Sequence, residues 1–114
     1  MTLNDHDKLI AVKTLHTIVW AVFAASILAM PVCTASGRTP LAWALAGLVF
    51  LEVLVLRVNG MRCPLTDLAG RYTTARHANF DIYLPLWLAR HNQRLFGTLY
   101  VIGLAHLVWA QLRA

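Results

Sequence analysis

Charge is what this chain has least of. Asp, Glu, Lys and Arg together make up 13% of the residues, about half the share of an average soluble domain. Only five side chains are acidic and only two are cysteine. That scarcity excludes a disulfide-stapled extracellular module, and it excludes a water-facing shell large enough for a small soluble domain. Enzyme signatures are missing as well. There is no Gly-x-Ser-x-Gly, no P-loop, no dinucleotide fingerprint and no His-Glu-x-x-His. Cys-x-x-Cys-His is absent, and no internal repeat or low-complexity segment occurs.

Hydrophobic residues, at 59%, fill the space that charge leaves. They gather in three stretches, Leu9 to Met30, Leu41 to Val58 and Leu95 to Leu112. Each is about the length of a helix crossing roughly 30 Å of hydrocarbon. The expected fold is an all-α integral membrane protein, one domain over residues 1–114. It has transmembrane helices at about 9–30, 41–58 and 95–112, and one or two short interfacial helices within about 61–94.

The net charge is +5, and its placement is informative. With three crossings, Lys8, Lys13, Arg57, Arg62, Arg71, Arg76, Arg90 and Arg94 fall on one side, against Arg38 and Arg113 on the other. By the positive-inside rule the amino terminus is cytoplasmic and the carboxyl terminus lies across the membrane. No RNA- or DNA-binding motif surrounds these arginines, so nucleic acid is not an expected partner. The first stretch is too long for an ordinary signal-peptide core, and its leader Asn4-Asp5-His6-Asp7-Lys8 is not plainly basic, so a retained span is expected. Cys33 and Cys63 then sit on opposite sides of the bilayer, and neither a disulfide nor a shared metal site is expected.

Local signals refine this plan. Pro31 should end the first span. Ala21, Ala25 and Ala29 form either a close-approach stripe or lipid-compatible filler. Asn59-Gly60 should close the second helix. A short helix can start at Cys63-Pro64 or Thr66-Asp67 and end near Gly70. After Asn79, a candidate N-cap, the run Ile82 to Leu88 reads as an interfacial helix packing Phe80, Leu84, Trp87 and Leu88 against the bundle. Pro85 would kink that helix or mark its true start, and one helix from Ile82 to Leu112 is an alternative.

Among the ionisable residues inside the stretches three matter, His16, Glu52 and His106, and such groups are costly in hydrocarbon unless paired or hydrated. At 1.5 Å per residue, His16 and Glu52 both lie about 10 Å from the cytoplasmic face, with His106 roughly 7 Å further out. A His16–Glu52 hydrogen bond that sets helix register is the first expectation. A polar site for protons, a ligand or a cofactor is the second, and haem b held by His16 and His106 is its sharpest form. His77, Asp81 and His91 at the cytoplasmic interface match no compact metal motif. Cys63 with His77 and Asp81 is a third, enzymatic arrangement, and an inert thiol is the expectation for Cys63.

Leu15-His16, Cys63-Pro64-Leu65-Thr66 and the segment from Phe80-Asp81 through Tyr83-Leu84-Pro85 together resemble the small bacterial membrane proteins with a Cys-Pro-Leu-Thr motif, a family of unknown function. Arg57 stands where those proteins tend to carry a glutamate, and Ala69 where they favour an acid. The resemblance implies the three-span fold, a bacterial inner-membrane location, and a site built on His16, Cys63, Thr66, Asp81 and Tyr83. It implies no reaction. The expected role is non-enzymatic: an accessory or assembly subunit contacting the bilayer and either other membrane subunits or itself. The alternative is a haem- or quinone-binding redox protein using His16, Glu52 and His106.

Overall fold

The structure is a computed structural model that describes residues 4–113. It contains helices α1 (Asp5–Ala35), α2 (Thr39–Val58), α3 (Pro64–Ala69) and α4 (Leu86–Arg113), with no strand among the described residues. The protein is all-helical, and α1, α2 and α4 are each long and apolar enough to cross a membrane.

The α1 helix does not stop at Pro31 but runs through it to Ala35. Proline removes a single N–H, and in hydrocarbon the surrounding turns have no water to bond instead, so continuing the helix satisfies more backbone than breaking it. The true stop is a Schellman turn. Gly37 takes φ 79°, its N–H bonds the Thr34 carbonyl at 3.3 Å, and the Arg38 N–H bonds Cys33 at 2.8 Å. The end of α2 repeats the device. Gly60 takes φ 65° and the Met61 N–H reaches the Leu56 carbonyl at 2.6 Å, which closes the helix at Asn59-Gly60 as its sequence suggested. Met61 itself holds φ 63°, a left-handed backbone that disfavours any side chain by roughly 1–2 kcal/mol.

By packing, the chain divides into two compact units, one of Met1–Ala21 with Val55–His91 and one of Val22–Leu54 with Asn92–Ala114. The second unit has an apolar core of Ile27, Met30, Ala42, Ala46, Val49, Tyr100 and Leu107. Ala42, Ala46 and Val49 recur at helical spacing, so the close-approach stripe lies on α2. Ala21 and Ala25 are exposed, in keeping with filler. Gly103 belongs to the same contact: a Cβ there would stand 3.4 Å from the Met30 methyl carbon. The Tyr100 hydroxyl donates to the Ala46 carbonyl at 2.8 Å. Outside this core the surface is greasy, with Leu28, Val32, Phe50, Leu51, Val101, Ile102 and Trp109 all more than half exposed. A water-soluble protein rarely presents such continuous apolar area, whereas lipid solvates it without penalty.

The first unit buries Val12, Ala69, Asp81 and Ile82. Its short helix α3 begins at Pro64, with Cys63 as an extended N-cap, and ends at Gly70. Gly70 keeps a right-handed backbone, and its carbonyl accepts from Arg76 Nη2 at 3.1 Å. The interfacial helix expected after Asn79 is not formed. Residues 79–84 are turns, and α4 starts at Leu86. Pro85 explains this, since it disfavours helix at Leu84 and is well placed just before a helix begins. Asn79 does not act as an N-cap either: its amide donates forward to the Leu84 carbonyl at 2.9 Å. Asp81 and Ile82 are buried in this segment and Trp87 is 63% exposed, contrary to the expected packing of Trp87. From Leu86, α4 continues unbroken through the polar run Arg90 to Arg94.

Candidate functional site

The first unit contains the polar cluster that stands out from its surroundings. His16 projects from α1, and its Nδ1–H donates to the backbone carbonyl of Asp81 at 3.0 Å. A carbonyl can only accept, so this contact requires the proton on Nδ1. The same Nδ1 lies 3.4 Å from Asp81 Oδ2, and both side chains are mostly enclosed. The Thr66 hydroxyl, on α3, donates to the same carboxylate oxygen. One carboxylate therefore ties a histidine on a long helix to a threonine on a short one.

A second hydroxyl completes the attachment. Thr17 Oγ1 donates to the Lys13 carbonyl at 2.7 Å and accepts the Tyr83 N–H at 2.9 Å. The Lys13 ammonium lies 4.4 Å from the centre of the Tyr83 ring, and the Lys8 ammonium is 5.7 Å from that of Tyr72, both within cation–π range. Asp67, at the start of α3, accepts from Asn59 Nδ2 at 2.9 Å and from Arg62 Nε at 3.0 Å. Those donors, Asn59 first and then Arg62, hold its carboxyl below the usual carboxylate range although it is exposed.

The candidate residues thus separate. His16, Thr66 and Asp81 come together, with Tyr83 attached through its backbone and ring. The partner of the His16 Nδ1 is Asp81 where Glu52 was expected, because the loop before α4 folds back against α1. Glu52 has no hydrogen-bond or ion-pair partner among the described residues. Cys63 is half-buried at the α3 N-cap, Leu65 is half-buried and Pro64 exposed; Cys33 and Cys63 are not joined in a disulfide. His77 and His91 are exposed. No group of three His, Cys, Asp or Glu among the described residues is placed to share a metal ion.

In the second unit, the His106 ring stacks with Trp109 at 6.4 Å between centres. It also lines an apolar groove of about 180 Å³ with Ile27, Leu28, Pro31, Leu99, Ile102 and Gly103. Thr17 and Lys13 are the site residues that sequence reasoning missed. A hydroxyl next to an in-span histidine, one turn after a lysine, is too common a pattern to single out. Comparison with protein-family models, with curated proteins and with solved structures gives no match.

Proposed function

We propose that this protein is a non-enzymatic accessory or assembly subunit of a larger membrane complex. In this reading it sits in a bacterial inner membrane with its amino terminus in the cytoplasm, as the clustering of lysine and arginine and the resemblance to the Cys-Pro-Leu-Thr proteins suggest. The observation that carries the role is that the polar cluster is spent on the chain itself. Asp81 receives the Thr66 hydroxyl and faces His16, and His16 Nδ1 is committed to a main-chain carbonyl. Such a cluster fastens a connection to a helix. The exposed apolar faces are suited to lipid and to neighbouring helices.

Purification in mild detergent followed by native mass spectrometry tests this. The expected result is recovery in a stoichiometric assembly with other membrane subunits. A monomer that alone restores a deletion strain overturns it.

A second reading, a quinone-type or haem-binding protein, has one observation in its favour, the His106 groove. Its volume of about 180 Å³ is below the roughly 300–1,000 Å³ usual for small-molecule sites, which ranks this reading second. A Soret band from protein expressed with haem supplied would promote it.

A further inference from the structure

Glu52 is an in-span carboxyl that the chain leaves unpaired. It sits on α2 about 9 Å from the Val58 end, counting 1.5 Å per residue. No hydrogen bond or ion pair reaches it from any described residue. Nor is it sealed inside: every buried side-chain polar atom among the described residues has a hydrogen-bond partner, so the unpartnered carboxyl oxygens of half-buried Glu52 keep accessible surface. On one flank lie the core residue Val49 and half-buried Val53. On the other lie exposed Leu48 and Leu51, with Gly47 one turn before Leu51 and nothing within 4 Å of where its Cβ would be.

A carboxyl that opens sideways into hydrocarbon needs a partner from outside the chain. Glutamate is too short to reach the headgroups as lysine and arginine do. Its complement is a cation, and a second copy of this chain is poorly equipped to supply one: Lys13 is engaged by the Tyr83 ring, and Arg57 stands about 7.5 Å nearer the Val58 end of α2 than Glu52 does. We propose that Glu52 docks a transmembrane helix of a different protein, one that carries a single Lys or Arg at the same depth and lies along Gly47, Leu48 and Leu51. The glycine permits close backbone approach, and the ion pair fixes register and partner choice. This inference rests on the accessory-subunit reading and gives it a contact residue.

The test uses donor-labelled full-length protein in phosphatidylcholine vesicles with acceptor-labelled oligoleucine helices, one bearing a Lys at the depth of Glu52 and one all-leucine. Energy transfer should report association about tenfold tighter for the Lys helix, the scale expected of one polar contact in a membrane. Glu52→Leu, which removes a group unfavourable in lipid and so should insert at least as well, should abolish that preference. Glu52→Lys should transfer it to a helix bearing Glu. Equal binding of the Lys and all-leucine helices overturns the proposal, as does a preference that survives Glu52→Leu. Self-association of the protein without added helix, lost on Glu52→Leu, also overturns it by making a second copy the occupant. If Glu52→Leu remains in the native assembly, the docking role falls while the accessory role stands. A selective Lys-helix interaction without any native assembly does the reverse.

Discussion

The two units hold themselves together by different physics. In the unit of Val22–Leu54 and Asn92–Ala114, Met30 and Leu107 are wholly buried, and one polar bond crosses between helices in the core, from Tyr100 to Ala46. In the unit of Met1–Ala21 and Val55–His91, the connection is fastened by hydrogen bonds that the side chains of Thr66, Asn59 and His16 donate and that of Thr17 accepts. In lipid, apolar contacts give packing without a hydrophobic driving force, so the first kind of unit depends on shape. The second depends on satisfied polar groups, for which leaving one partner bare is the main danger. The comparison teaches that damage should look different in each unit: graded with lost volume in one, all-or-none with a lost donor in the other.

The sharpest way to break that distinction is Leu107→Ala. It should destabilise the protein by about 2–5 kcal/mol, as deletion from a filled core site does, measured by thermal unfolding in detergent. Exchange should rise first in α2 and α4 around Ala46 and Tyr100. Equal loosening of residues 77–85 would show that the contrast is false.

Next in size is Asp81→Ala, which strips His16 Nδ1 and Thr66 of a shared carboxylate. A loss of about 1–3 kcal/mol is expected. Hydrogen exchange should accelerate across Pro64–Ala69 and the loop before α4, while the second unit keeps its protection. Asp81→Asn retains an acceptor for the Thr66 hydroxyl and should do less harm. If both substitutions leave stability and exchange unchanged, the carboxylate is not what fastens the loop.

Tyr100→Phe is smaller. It removes one interhelical hydrogen bond and no volume from the core, so about 0.6–1 kcal/mol should be lost. A larger effect would mean that the second unit relies on polarity more than its composition indicates.

The smallest effect is expected from pH at Asp67. Its carboxyl is held below the usual range by Asn59 and Arg62, so the folded state binds that proton less readily than the unfolded one. The contribution is therefore complete above the unfolded carboxylate value and fades as pH falls through the lower, folded one. Exposure keeps it small. Asp67→Asn should flatten the acid limb of the unfolding curve only slightly, and an unchanged limb would remove Asp67 from the account.

Much of the fold was legible in the chain because hydrocarbon imposes a simple rule of length and composition. The α1, α2 and α4 helices cover the apolar stretches, with α1 extended at both ends and α4 beginning earlier at Leu86. Pro64 at the start of α3 and Gly60 past the end of α2 also behaved as their backbone chemistry dictates. Pro31 misled, since the rule that proline ends helices is a rule for water. The segment after Asn79 misled because its apolar content suited a helix, while Pro85 and the claim of Thr17 on the Tyr83 N–H favoured turns. His16 was recognisable as a candidate; its partner was not, because depth counting compares spans and cannot see a loop folding back.

Sequence alone determined that lipid is the solvent, where the helices lie, and that His16 and Glu52 needed explaining, since these follow from composition and periodicity along one chain. Which acid, Glu52 or Asp81, would meet His16 was decided only by tertiary structure. A hydrogen bond at 3.0 Å depends on the path of residues 77–85 in space, and no local pattern encodes that path.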